Sequence, residues 1–518
     1  MPQETPHKAL PREHRRRLVG LACPVYGELL AGVVAGIVNM VWVARLGGPA
    51  VAAVAVATNV ENLALGLILM AGSGTTVLVA RARGARDPAA LRTAVRGGWA
   101  LCALLTPPVA VGGWALREPL ARLVLGGDGG GAGGAALRLA ADYFAVSLPG
   151  LAVFFAQNLL DGVLKGAGDT RTPMRLALLA NALILVLDPL LVFGLCGLPG
   201  LGVTGAAWAT VAGRSAALAA GLVALRRNGL GCDRDRRRDA RHGRSRRCRN
   251  ALVAPLRGPS GALRSTAPDA APSPDPYRTP GRNGLLRKAA AARPAGRLLT
   301  ALRATAATGL PMAADFTARM AGSLLLVAVV ARIGVASVAA YAIATKAMYV
   351  ATMSFYAVRQ AAAIHTAHTL GAGRDARAAI ARQAALLGAA LGALAALVLL
   401  AAAPWVMRAF GARPDVAAAG TAFLRCLGPY LALLGCFIAL GGVFEGAGGS
   451  PLMLRVTLAG TAVQLPLAHG LSGFGLPGVC AAMALAAALQ CLAVLALSRR
   501  FTPPRAPTRR AAERAGVR

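Results

Sequence analysis

Seven ionisable residues stand well inside apolar stretches of this chain: Glu28, Glu61, Asp188, Asp315, Arg319, Lys346 and Arg359. A charge surrounded by hydrocarbon is costly. Each of these therefore pairs with another charge, reaches an interface along its side chain, or works on an ion or a polar substrate. Asp188 is the strongest of the seven. A carboxylate in a low-dielectric cleft can carry a proton, or act as a hard oxygen ligand for Na⁺. Asn181 lies seven residues earlier, about 20° away around a helix, so the two share a face. Asp315 and Arg319 are four apart and are expected to pair within one helix. Lys346 and Gln360, fourteen apart and about 40° around a helix, share a face, and Arg359 points roughly the other way, toward an interface. Tyr341, Tyr349, Phe355 and Tyr356 crowd the same stretch in a chain with 5% aromatics, where they pack or line a cleft. Glu61, Asp315, Arg319, Lys346, Tyr349 and Gln360 are the expected cleft residues. A net-basic cavity around Arg319 and Lys346 predicts a neutral, zwitterionic or weakly acidic substrate.

The elements that must carry these residues are membrane spans. The chain has 518 residues, 56% hydrophobic and 15% charged, against about 25% charged in soluble domains. Twelve apolar runs, each long enough for the ~20 residues of a helical span, fall at about 18–46, 50–80, 89–116, 136–165, 173–195, 202–225, 303–333, 337–368, 377–403, 416–445, 451–472 and 475–498. The first run follows Arg15, Arg16 and Arg17. It is too long for a signal peptide core and lacks a cleavage pattern, so it is read as a retained helix. The net charge of +35 sits mostly between the runs. That is the pattern of cytoplasmic loops rather than of a nucleic-acid surface. Arginines mark both termini, the 2–3, 4–5 and 8–9 connections and the 6–7 linker, whereas 5–6 and 11–12 have no Lys or Arg. Both termini are therefore expected in the cytoplasm of a bacterial cell, with anionic lipid at the basic loops. Residues 226–297 are basic and then rich in Pro, Ser and Ala, and are read as a disordered linker. The domains are a basic tail at 1–17, an N-lobe at 18–225, the linker, a C-lobe at 298–498 and a basic tail at 499–518. Most of the nine cysteines lie in apolar runs, and Cys232, His242 and Cys248 lack paired metal-ligand spacing. No nucleotide loop, nucleophile elbow or His-rich metal motif is present, so neither an enzyme nor a cofactor is expected.

The chain is also a duplication. Gly162-Val163 and Gly166-Ala167-Gly168 return as Gly442-Val443 and Gly446-Ala447-Gly448. Ala44-Arg45-Leu46-Gly47 returns as Ala331-Arg332-Ile333-Gly334, Gly84-Ala85 as Gly371-Ala372, and Pro24 with Glu28 as Pro311 with Asp315. Six spans per copy is an even number, so both copies enter the membrane from the same side. The fold expected is an all-α integral membrane protein, with twelve transmembrane helices in two homologous six-helix lobes. A pseudo-two-fold axis along the membrane normal relates the lobes, and the substrate cleft lies between them. Pro24 and Pro311 each remove a helix hydrogen bond and are the candidate hinges.

Lys165-Gly166-Ala167-Gly168-Asp169-Thr170-Arg171-Thr172-Pro173-Met174 resembles the connection after span 4 in the multidrug and toxic compound extrusion (MATE) family. Asp188-Pro189-Leu190-Leu191 in span 5 and Gly202-Val203-Thr204-Gly205-Ala206-Ala207 at span 6 fit as well, and the resemblance covers both lobes. It implies a monomeric antiporter that expels an organic small molecule while H⁺ or Na⁺ enters, with Asp188 in an N-lobe cation site. The family's span-1 acid, fifteen residues after the proline, falls on Asn39 here, and the family's span-5 Asn falls on Ile184. The loss of these groups makes Na⁺ near Asp188 less expected and a proton cycle more so, with uncoupled transport open. Glu28 lies eleven residues from Asn39 on the same helix face and is the candidate to supply the missing acid. The rival readings are a lipid-linked sugar flippase of the same superfamily and a membrane protein that transports nothing. In the span-4 connection itself, Lys165 and Arg171 are expected at the cytoplasmic face of a tight turn.

Overall fold

The computed structural model describes residues 11–125, 132–194, 200–228, 294–411 and 413–499. In the N-lobe the helices are α1 (Pro11–Ala44), α2 (Gly48–Gly84), α3 (Pro88–Ala115), the short α4 (Arg117–Leu125), α5 (Ala132–Gly166), α6 (Arg171–Phe193) and α7 (Gly202–Asn228). In the C-lobe they are α8 (Pro294–Ala331), α9 (Val335–Gly371), α10 (Arg377–Ala409), the short α11 (Pro414–Cys426), α12 (Gly428–Ala447), α13 (Ser450–Leu471) and α14 (Gly475–Arg499). Apart from the short α4 and α11, each lobe thus has six long helices. Ten stretches of described helix are long and apolar enough to cross a membrane, the last of them, Ser450–Arg499, holding both α13 and α14. The protein is a multi-pass membrane protein of twelve long helices in two lobes.

Two elements differ from the expected runs. The run 416–445 is cut into α11 and α12 between Cys426 and Gly428, where Pro429 enters at the start of a new helix. The short α4 lies in 117–125, which apolar periodicity leaves blank. Most of the 226–297 segment, with Cys232, His242 and Cys248, lies outside the described residues, as does 500–518.

The duplicated glycines set the same helix crossing twice. Gly162 and Gly166 of α5 press on the backbone of α2 at the carbonyls of Gly72 and Thr76. Gly442 and Gly446 of α12 press on α9 at the carbonyls of Arg359 and Ala363, which are the residues 287 positions after Gly72 and Thr76. Small residues are what allow two membrane helices to approach this closely. Each glycine helix then ends alike. Gly168 (φ +83°) and Gly448 (φ +91°) take the left-handed conformation, and the following amides, Asp169 N and Gly449 N, return to Leu164 O at 3.0 Å and Phe444 O at 2.7 Å. In the first copy Asp169 also caps α6, accepting from Arg171 N at 3.2 Å and Thr172 N at 3.1 Å. The polar half of the span-4 connection is thus a helix cap.

The lobes meet at the end where α1 starts and α14 stops. There Gly84 of α2 abuts the carbonyl of His368, and Gly371 of α9 abuts the carbonyl of Arg81. These two contacts are copies of each other under the 287-residue offset, so the pseudo-two-fold axis passes between them. Arg81 Nη2 donates to Gly446 O at 2.8 Å across the seam. His14 Nδ1 lies 3.0 Å from His365 Nε2, both rings buried, so His365 belongs to the lobe interface. Val77 and Ala80 of α2 pack with Met312, Ile364 and Ala367 of the C-lobe at the same end. At the other end α1 and α8 leave Ile37 and Leu324 exposed. Valine at Gly84 or Gly371 drives a side chain into a carbonyl of the opposite lobe. We expect it to cost about 1–3 kcal/mol of stability, whereas valine at Gly36, which has nothing within 4 Å, should change little beyond helix propensity. Thermal unfolding in detergent reads the difference.

Candidate functional site

Asp188 sits one turn and a half from the end of α6 and is 1% exposed. Asn39 of α1 donates its Nδ2 to Asp188 Oδ2 at 2.8 Å. The two residues that sequence spacing connected only through the resemblance are thus in direct contact. Asp188 Oδ1 is buried with no partner. Among the described residues no hydrogen bond joins Asn181 to Asp188, and the Ile184 side chain is packed away between α6 and α7 against Gly213.

Glu28 is placed elsewhere. Its carboxylate takes Lys165 Nζ at 2.7 Å, eleven residues and about 16 Å along α1 from Asn39. Helical phase gave the right face and the wrong depth. Lys165 is not at the membrane face either. It is 8% exposed and also reaches Gln360 Oε1 of the C-lobe at 3.3 Å. Glu28, Lys165 and Gln360 therefore tie three helices, α1, α5 and α9, across the closed end of the seam.

In the C-lobe, Asp315 and Arg319 do pair, at 2.7 Å. The pair is part of a larger cluster. Arg359 Nη2 donates to Asp315 Oδ2 at 2.6 Å and to Glu445 Oε1 at 2.5 Å, its Nε donates to Glu445 at 3.1 Å, and Thr457 Oγ1 donates to Asp315 Oδ1 at 2.5 Å. Arg359 thus lies in the lobe core, 5% exposed, not at an interface. Asp315, at 1% exposed, lies in the same core rather than along the cleft. Two guanidinium groups against two carboxylates balance, so the cluster is not the net-basic cavity expected around Arg319 and Lys346. Lys346 and Tyr349 are exposed on the open half of α9, and Gln360 is at the closed seam. Pro24 and Pro311 lie inside α1 and α8 as expected.

The N-lobe holds two charges that the sequence reading passed over. Asp161 of α5 lies one turn before Lys165, and its Oδ1 is buried without a partner. Arg214 is in the middle of α7, with its guanidinium carbon 4.1 Å from the centroid of the Phe154 ring. Glu61 and Asp161 are within electrostatic range of it. The rule that flagged Arg359, an ionisable group inside an apolar run, applies equally to both.

Comparison with known proteins fits this arrangement of two lobes and one repeated crossing. The family model described as MatE matches twice, over residues 24–190 and 311–469. The chain belongs to the MATE family. The second match starts 287 residues after the first, on the proline that answers Pro24. The fold is that of the Vibrio cholerae MATE transporter VcmN in its bent form, with a TM-score of 0.74 and 17% identity over 95% of this chain and 98% of that one. Curated relatives include a probable multidrug resistance protein NorM of Thermotoga maritima, 30% identical over 209 residues, which are 40% of this chain and 44% of the relative. Another is the DNA damage-inducible protein F of Escherichia coli, 32% identical over 40% of this chain and 43% of the relative. The chain spans less than half the length of the curated relatives it matches.

Proposed function

We propose that the protein exports an organic small molecule by antiport against protons, with the two lobes rocking about the pseudo-two-fold axis. One observation supports the proton assignment: Asp188 is buried with a neutral Asn39 amide as its only side-chain hydrogen-bond partner among the described residues. An amide N–H pointing at the carboxylate occupies a position where a Na⁺ site would need another oxygen. A single acid with no cation bonded to it can exchange a proton and change its charge state without disturbing a salt bridge.

The positive-inside pattern supports placing the closed seam at the cytoplasmic side of the cell membrane, so that the cleft opens outward. Glu28, Lys165, Gln360 and the His14–His365 contact then form the cytoplasmic closure. Pro24 and Pro311 are the points where α1 and α8 bend as it opens. The Arg-rich loops lie against anionic headgroups at that face.

Proteoliposomes with Na⁺ and pH gradients imposed separately test this reading. A pH gradient is expected to drive efflux, a Na⁺ gradient is not, and Asp188→Asn should reduce pH-driven efflux at least about tenfold, in line with the loss of a proton-transfer group. Efflux indifferent to both gradients, or equally fast in Asp188→Asn, would contradict it.

A further inference from the structure

Among the described residues, three interior cations are paired with carboxylates. Lys165 has Glu28, Arg319 has Asp315, and Arg359 has Asp315 and Glu445. Arg214 has no such partner. Among the described residues no acceptor hydrogen-bonds to it and no carboxylate oxygen lies within 4.0 Å. Its guanidinium rests on the face of Phe154, which fixes the plane and leaves the N–H edge unused. Among the described residues no hydrogen-bond acceptor meets that edge. A guanidinium at mid-span with its donors unspent is costly unless something anionic meets it.

What surrounds it is a polar stripe. Tyr143, Ser147, Gly150, Phe154, Gln157 and Asp161 follow one another at alternating spacings of four and three along α5, which puts them on one face. Gln157 Oε1 and Asp161 Oδ1 on this stripe are buried and unpartnered, and Ser147 Oγ faces the Glu61 carboxylate. Arg214 crosses the stripe near its middle, at Phe154, one turn beyond the place where Val211 packs on Gly150. Glu61 of α2 and Asp161 stand on either side within electrostatic range. One forked donor is therefore flanked by two acids, and one of them, Asp161, keeps an oxygen without a hydrogen-bond partner.

We propose that Arg214 is the anion anchor of an N-lobe site for zwitterionic organic molecules. A carboxylate of the substrate takes the guanidinium edge as a bidentate pair, and the cationic end of the same molecule lies by Glu61 and Asp161. This assigns a substrate class and rests on the export reading above. The two acids discriminate against pure anions, and the guanidinium discriminates against cations that lack the carboxylate. The C-lobe cluster, whose charges are already spent on one another, takes no part.

Rhodamine B and its ethyl ester separate these terms, because both carry the xanthylium cation and only the first has a carboxylate. Their binding to the purified full-length protein is read by fluorescence anisotropy for the wild type, Arg214→Gln and Arg214→Lys. The wild type is expected to prefer rhodamine B to the ester. Arg214→Gln should shift the ratio of the two Kd values at least about tenfold toward the ester, the range of a charged hydrogen bond. Arg214→Lys, which keeps the charge and loses the fork, should recover part of the ratio. No preference in the wild type, binding of neither dye, or a ratio unchanged in Arg214→Gln overturns the proposal. Gradient-driven movement of the dyes is scored separately. A ratio that shifts as expected without transport keeps the site and removes the export reading.

Discussion

Arg359→Met is expected to destabilise the folded protein by about 3–5 kcal/mol, the cost of leaving buried charges uncompensated. The guanidinium lies between Asp315 and Glu445, two acids on α8 and α12 that share no other bridging cation among the described residues. Arg319 stays on Asp315 in the variant, so Glu445 bears most of the loss. Glu445→Gln alone should then be milder than Arg359→Met, and the triple change Arg359→Met, Asp315→Asn, Glu445→Gln should return to within about 1–2 kcal/mol of the wild type, because a neutral, packed replacement of a buried ion cluster is often tolerated. Unfolding in mixed detergent with the variants side by side gives these differences. Equal stability of Arg359→Met and the wild type would show that the cluster contributes nothing as a charged unit.

The duplication explains why this cluster exists only in the C-lobe. Glu28 and Asp315 are equivalent positions, as are Lys165 and Glu445, and Gly72 and Arg359. In the N-lobe an acid meets a base directly at 2.7 Å and the third position is a glycine. In the C-lobe the base has become an acid, two carboxylates face the same point, and the counterpart of the glycine supplies the cation between them. The backbone crossing is unchanged, since Gly442 still packs on the carbonyl of residue 359 as Gly162 packs on that of residue 72. Charge was redistributed within a fixed scaffold.

This also marks where sequence reading stops. The twelve runs, the two lobes and the repeat are visible in hydropathy and glycine spacing, because span length and close helix approach are written locally. The pairing of Asp315 with Arg319 is visible for the same reason. Lys165 is different. Counting residues puts it at the end of its span, but its partner is 137 residues away on α1, and only the packing of α1 against α5 draws it inward. Arg359 is a similar case. Its helical phase relative to Gln360 was right, but phase does not say which helix covers each face, and its two acids lie 44 and 86 residues away. The break at Gly428–Pro429 was readable from turn chemistry, and the strong apolar run around it hid the signal.

Lys165→Met is expected to act twice. It strands the Glu28 carboxylate, whose side chain is only 14% exposed, at a cost of about 3 kcal/mol or more. It also removes the hydrogen bond to Gln360, and with it a direct link between the lobes at the closed end. The double variant Glu28→Gln, Lys165→Met separates these effects. Neutralising the acid should restore most of the stability, leaving a coupling energy of about 1–3 kcal/mol in the cycle. It cannot restore the link to α9. Spin labels at Arg86 and Arg374, exposed residues after the seam ends of α2 and α9, introduced into a background lacking the nine native cysteines, report the separation of the lobes. Longer distances should gain population in both Lys165→Met and the double variant, and the Glu28→Gln single variant should shift least. If the double variant regains both stability and the wild-type distance distribution, the triad is an ordinary buried ion pair and the closure is held by the Gly84 and Gly371 contacts alone.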